Sequence, residues 1–450
     1  MMPSLSWFQI FRLGLVQTAL GAIVVLTTST LNRIMVVELA LPAILPGALV
    51  ALHYALQALR PRLGHGSDIG GRQTPWIIGG MAVLAAGGTG AAVATAWMSV
   101  NVWAGIALAA AAFCMIGIGV GACGTTLLVL LAKRVDEHRR AAAATIVWVM
   151  MIIGFIVTTG VAGHLLDPYS PARLVAVASA VSVLAMALTV AAAWNVEGSQ
   201  PRPMAGAVTV GTTPPVSFRA ALAETWSEPR ARRFTIFVFV SMLAYSAPEL
   251  ILEPFAGAAF GLTPGESTKL ASVQHGGVLA GMILVALVCS TVGKRRLASM
   301  EILAVGGCVA SAMALLNLAC AGFAAPAWPL RTTVFMLGLT NGVYAVAAIG
   351  SMMSLVGSGR KAREGMRMGL WGAAQAIAFG LGGLVGTLAT DATRLVMASA
   401  SAAYATVFAG EAVMFMVSAV LAISIYAGEK QPAHVAGLAV SDLGQKESST

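Results

Sequence analysis

The sequence predicts an all-α integral membrane protein, with twelve transmembrane helices in two six-helix halves. Three observations predict it. Only 10% of the 450 residues are charged and 58% are hydrophobic, whereas about a quarter of a soluble domain is charged. So few charges cannot clothe so much apolar surface. The apolar residues come in long unbroken runs, near the roughly 20 residues that a spanning helix needs. They lack the alternation of a barrel strand, the other structure that lipid tolerates. One long proline-rich polar stretch then divides the runs six and six.

In chain order the spans fall near 11–31, 42–60, 74–97, 102–132, 142–166, 173–194, 234–252, 268–292, 298–323, 331–356, 366–389 and 403–427. The lead before Arg12 is short and partly polar. No small-residue cleavage site follows before Leu31-Asn32-Arg33, so the first span is expected to remain as an anchor. The expected divisions are an N-terminal half over 1–195, a linker over 196–233, a C-terminal half over 234–427 and a disordered tail over 428–450. The linker holds Pro201, Pro203, Pro214, Pro215 and Pro229.

Basic residues set the expected orientation. Of 27 Lys and Arg, 22 fall on the termini or in the loops after even-numbered spans. The other loops hold only Arg33, Arg173, Lys269, Arg331 and Arg394. Positive loops stay inside, so both termini are expected in the cytoplasm of a bacterial inner membrane. The net charge of +9 is thus a topology signal. It is scattered over short loops, which argues against a nucleic-acid partner.

The loop after span 2 reads GHGSDIGGR, a Gly64-x3-Asp68-x2-Gly71-Arg72 frame. Gly64 and Gly71 allow a tight backbone. Asp68 can accept from helix-end N–H groups, and Arg72 can reach helix-end carbonyls. This loop resembles the signature of the major facilitator superfamily, and the six-plus-six division agrees with it. The matching loop of the second half, TVGKRR, keeps Gly293 but has no aspartate.

That fold implies a transporter, yet fold does not fix function. A proton-coupled carrier needs acids well inside spans 1, 4, 7 and 10. The sequence places none at mid-depth there, with Glu249 only near the end of span 7. Polar residues gather instead at matching periplasmic positions after spans 1 and 7. Asn32, Arg33 and Glu38 form the first group, Glu249 and Glu253 the second. One charge alone at such a site is costly, so Arg33 is expected to pair with a carboxylate. Glycine runs such as Gly117-x-Gly119-x-Gly121-x2-Gly124 and Gly380-x-Gly382-Gly383-x2-Gly386 are read as helix packing. Cys114, Cys123, Cys289, Cys308 and Cys320 all fall in spans without a CxxC pair and are read as inert. No catalytic constellation is present, and no enzyme is expected.

Longer blocks carry a sharper resemblance. RLGLVQTALGAIVVLTTSTLNRIMVVELALPA, LHYALQ, GHGSDIGGRQTPWIIGG, EPRARRFTIFVFV, ILEPFAG and GLWGAAQAIAFGLGG resemble the PucC/LhaA family, from about Arg12 to Ala427. These are the bacteriochlorophyll-delivery members of the facilitator superfamily in purple phototrophs. The sequence is closest to the branch encoded among bacteriochlorophyll-synthesis genes.

The resemblance implies an assembly factor for light-harvesting complexes that binds bacteriochlorophyll or a close precursor. Its implied partners are light-harvesting polypeptides and bacteriochlorophyll-synthesis enzymes in the bilayer. Such a pigment needs an apolar slot and one axial ligand for its magnesium, commonly a neutral imidazole. His53 in span 2 leads, flanked by Tyr54 and Gln57. His275 follows, beside Gln274 and Gly276-Gly277, and His164 near the end of span 5 is third. His65, His138 and His434 lie in loops or the tail. Two alternatives remain, a facilitator-type transporter or exporter and a scaffold that binds no pigment.

Overall fold

The computed structural model describes residues 5–57, 72–136, 139–197, 226–291, 296–357 and 364–427. Twelve helices lie among the described residues. They are α1 (Trp7–Glu38), α2 (Ile44–Leu56), α3 (Thr74–Met98), α4 (Val102–Arg134), α5 (Arg140–Leu165), α6 (Pro171–Ala193), α7 (Pro229–Phe260), α8 (Pro264–Thr291), α9 (Arg296–Ala324), α10 (Leu330–Gly357), α11 (Glu364–Val396) and α12 (Ala400–Ala427). Eleven are long and apolar enough to cross a membrane. The described part of α2 is shorter. The face where α1 begins and α12 ends is here the terminal face, and its opposite the distal face.

Local chemistry sets the helix ends. Ser6 and Gln9 form a reciprocal capping box at the start of α1. The Asn101 side chain accepts from Ala104 N–H to start α4. Ser170 does the same for α6, ahead of Pro171. Gly261 closes α7 with a left-handed φ of 68°, a conformation that costs glycine nothing.

The first span corrects the sequence expectation. It was expected to stop at 31, with Asn32, Arg33 and Glu38 in a loop. Instead α1 runs on to Glu38 through two wide turns, Leu26–Thr30 and Ile34–Glu38, closed by i→i−5 bonds. Such turns often mark functional sites. Likewise α7 was expected over 234–252. It starts at Pro229 and continues to Phe260, carrying Pro248 and Pro254 inside it. Helix α11 reaches Val396 and takes in Asp391 and Arg394.

Two apolar cores form. One gathers α1 to α6 around residues such as Ile10, Leu84 and Phe113. The other gathers α7 to α12 around Phe237, Phe255 and Tyr344. Leu250 of α7 packs in the first core, so the second half inserts a side chain into the first. The halves meet along α1 with α7, α2 with α11, and α5 with α8.

Glycines make the close approaches. A Cβ on Gly119 would stand 2.6 Å from the Leu84 backbone nitrogen, and one on Gly117 2.6 Å from the His53 carbonyl. At Gly382 it would reach the Leu243 carbonyl at 2.6 Å. Helix backbones touch at these points, so the glycines serve packing.

Candidate functional site at the seam of the halves

The seam is built on the last third of α1 and the proline-broken stretch of α7. Pro254 has no N–H, so the Leu250 carbonyl one turn earlier loses its helical partner. Asn32 of α1 supplies the substitute, its side-chain amide donating to that carbonyl. Ser29, one turn before Asn32, donates to Oε1 of Glu253. The Thr30 and Thr268 hydroxyls meet at 3.1 Å, bringing α8 into the same cluster.

Arg33 is only 2% exposed, although its side chain is a cation. Its Nη1 donates to Glu38 Oε1 at 2.5 Å and its Nη2 to the Leu262 carbonyl at 2.6 Å. The expected ion pair therefore forms, and its partner is the local Glu38. The guanidinium lies against Gly257, where a Cβ would come within 3.1 Å of Nη2. Gly257 is small because the arginine occupies the space a side chain would take. Beside the pair, a cleft of about 670 Å³ opens between the halves. Arg33, Glu38, Asp167, Tyr169 and Glu266 line it. Tyr169 sits between α5 and α6. Burial pushes its phenol above the ordinary range, the Glu38 charge adds to this and Arg33 opposes it.

The carboxylates lie deeper than expected. Glu249 is about 7 Å from the midpoint of α7 by helix rise, one turn after Tyr245. Glu253 follows one turn later and is 2% exposed. The sequence reading put no acid at mid-depth. The extension of α7 to Phe260 overturns that, because residues 253–260 belong to the helix and not to a loop. The reading also missed Glu411, buried near the middle of α12 with neither carboxylate oxygen hydrogen-bonded. A lone acid inside the run FAGEAVMF was the available signal.

Two more acids were missed. Asp391 of α11 accepts from the backbone N–H groups of Ala43 (2.9 Å) and Ile44 (2.7 Å), capping α2 across the seam. Glu197 accepts from Gln73 N–H (2.9 Å) and Thr74 N–H (2.7 Å) at the start of α3. Asp167 also bridges the halves, accepting from Gly265 N–H at 3.1 Å and lying 3.9 Å from Lys269.

The histidines have different settings. His53 is 1% exposed, its Nε2 is 2.9 Å from the Gln57 amide nitrogen, and its ring lies edge-on to Tyr54 at 4.8 Å. Tyr54 continues through Phe379 to Tyr245, an aromatic file that joins α2, α11 and α7. His275, at 9% exposure, tilts against Phe155 at 4.9 Å on the α5–α8 seam. Next to it, Gly277 packs on α10, while Gly276 faces open space. His164 is exposed in the last turn of α5. Arg72 is exposed just ahead of α3. Gly64, Asp68 and Gly71 lie outside the described residues.

Comparison with known proteins agrees with this architecture. The profile of the PUCC protein family matches residues 30–430. The chain is 51% identical to the bacteriochlorophyll synthase 44.5 kDa chain of Rhodobacter capsulatus, over 94% of this chain and 96% of that one. It is 29% identical to Protein PucC of the same organism, over 93% and 92%. Among solved structures, a D-xylose-proton symporter superposes with a TM-score of 0.70 at 14% identity, over 92% of this chain and 97% of that one. An inward-facing, occupied bacterial homologue of the lysosomal transporter Spinster gives 0.69 at 14%, over 95% and 97%. The fold is that of the major facilitator superfamily.

Proposed function

We propose, from the fact that this chain belongs to the PUCC protein family, that it is an assembly factor for photosynthetic light-harvesting complexes. In this reading it binds bacteriochlorophyll or a close precursor and hands it over within the bilayer. The observation that carries the reading is the 51% identity, along nearly the full length of both chains, to a protein named for bacteriochlorophyll synthesis. The chain carries pigment and makes none. The word synthase belongs to the relative's name. Its partners are antenna polypeptides and pigment-synthesis enzymes, and both termini face the cytoplasm, as the basic loops require.

The residues bear on the ligand choice. A magnesium ligand must present an imidazole nitrogen to the open face of a macrocycle. His53 is enclosed on α2 with Nε2 turned to Gln57, so it fits poorly in this conformation. His275 fits better, because it lies on the lateral α5–α8 seam against the apolar edge of Phe155. His164, exposed at the end of α5, is the third choice. When bound, the pigment would supply its own spectrum. The protein would supply an apolar setting and the axial nitrogen.

The test is the absorption spectrum of protein purified from a phototroph in mild detergent. Bacteriochlorophyll should co-purify with the wild type. Its band should shift or fade in His275→Leu and stay unchanged in His53→Leu. A wild type free of pigment would sink the reading and favour the scaffold. A second reading, a facilitator-type transporter, draws support from Glu249 and Glu253 at the seam where the halves meet.

A further inference from the structure

The clasp between α1 and α7 leaves two acceptors unanswered. Asn32 must turn its Nδ2 toward the Leu250 carbonyl, because a carbonyl can only accept. Its Oδ1 therefore points the other way, and it is buried without a hydrogen-bond partner. Glu253 takes one hydrogen bond from Ser29 on Oε1, and its Oε2 is likewise buried without a partner. Asn32 and Ser29 of α1 thus grip one turn of α7, Leu250 to Glu253. Asn32 and Glu253 are 1% and 2% exposed. Buried polar atoms are nearly always satisfied, so two orphaned oxygens on one clasp ask for a donor or a cation.

Among the described residues, the neighbouring cations are engaged mainly elsewhere. On α1, Arg33 gives Nη1 to Glu38 and Nη2 to the Leu262 carbonyl, and only its Nε–H is left without a partner. On α8, Lys269 lies with Asp167. The remaining ionisable neighbours are acids and phenols. Glu249 and Tyr245 lie on α7 itself, Tyr169 lies beyond Glu38, and Glu411 of α12 lies near Gly386 of α11. Glu253 is thus a buried carboxyl that feels the charge of Arg33 but takes its hydrogen bond from a hydroxyl, Ser29.

We propose that Glu253 and Asn32, with Ser29, form an intramembrane site for one small monovalent cation, a proton or sodium. A proton on Glu253 Oε2 would turn that oxygen into a donor for an acceptor such as Asn32 Oδ1. Sodium would be held by the same hard oxygens. The site lies where the two halves join, so its occupancy sets how firmly α1 holds α7. It stands whether or not the chain handles pigment.

The experiment is thermal melting of the purified wild type and Glu253→Gln between about pH 5 and pH 9, in sodium chloride or choline chloride at equal ionic strength. The wild-type Tm should fall with rising pH in both salts for a proton. For sodium, it should be raised at high pH by the sodium salt alone. Either response should vanish in Glu253→Gln, whose uncharged amide neither titrates nor balances the charge of a cation. Identical responses in both proteins overturn the site. Where Glu253→Gln cannot be purified, the wild type decides through a hydrophobic carbodiimide, with the adduct mapped by mass spectrometry. Labelling at Glu253 that high pH or sodium suppresses supports the site. No such labelling at Glu253 overturns it.

Discussion

Asn32 and Pro254 are complementary. The proline removes a hydrogen bond from α7, and the asparagine of the other half restores it at the Leu250 carbonyl. The replacement ties the halves together where an ordinary helix would have bonded only to itself. Asn32→Ala should therefore destabilise the protein by about 1–2 kcal/mol, because it leaves the Leu250 carbonyl buried without a donor. In a Pro254→Ala background the helix supplies its own N–H, and the same substitution should cost markedly less. Thermal unfolding of the four proteins in detergent measures the difference. Equal costs in both backgrounds would refute the relationship.

The Arg33–Glu38 pair predicts an uneven double-mutant cycle. Coupling between Arg33 and Glu38 should be about 1–3 kcal/mol. Coupling between Arg33 and Glu253 should be smaller, because the guanidinium donates elsewhere. A larger value for Glu253 would mean that the arginine changes partner in solution.

Gly257 predicts a steric counterpart. Gly257→Ala puts a methyl 3.1–3.3 Å from the guanidinium, which must give by a few tenths of an ångström. Gly257→Val cannot be absorbed so easily and should cost about 1–3 kcal/mol. Pairing it with Arg33→Ala should recover part of that loss. Folded yield on size-exclusion chromatography reports the order.

Tyr169 gives the pH dependence. Its folded-state pKa lies above the ordinary value near 10, with burial the main cause. The folded protein then binds the phenolic proton more tightly than the unfolded chain does. The associated stability is complete below pH 10 and is lost as pH rises through the folded value. Melting curves above pH 10 should fall less steeply in Tyr169→Phe. Matching slopes would count against this.

Glu197 predicts a helix-start defect. Glu197→Ala removes the acceptor for two N–H groups at the start of α3 and should cost about 1–2 kcal/mol. Asp68→Asn, in the signature loop, tests the expected helix-end role of that loop. Of the two, Glu197→Ala should reduce the melting temperature more.

How far the sequence could be read varies by element. Long apolar runs and one proline-rich break made the helices legible, because lipid permits few alternatives. Helix ends near charge were not. Asn32, Arg33 and Glu38 look like loop residues, and partners far along the chain, Leu250 on α7 and Leu262 just beyond it, hold Asn32 and Arg33 buried in a helix while Glu38 stays exposed. Pro248 and Pro254 read as punctuation, yet α7 runs through both. The Arg33 pairing was foreseeable because a buried cation needs an anion. The roles of Asp391 and Glu197 were not, since each caps a helix remote in sequence. His53 leads the ligand candidates in the sequence through the block of family resemblance around it and its neighbours Tyr54 and Gln57. Its enclosure depends on Gln57 and on the packing of α2 against α4.

The ties between the halves have a mechanical consequence. Those of Asn32, Arg33, Asp391 and Asp167 gather toward the distal face. Two rods joined near one end act as levers about that joint. Helices of about 30 residues are roughly 45 Å long, so a tilt of about 10° at the joint moves the far ends by roughly 8 Å. The clasp itself would shift far less. A change too small to break the hydrogen bonds of one α-helical turn is thus magnified into an opening wide enough for a flat ring system.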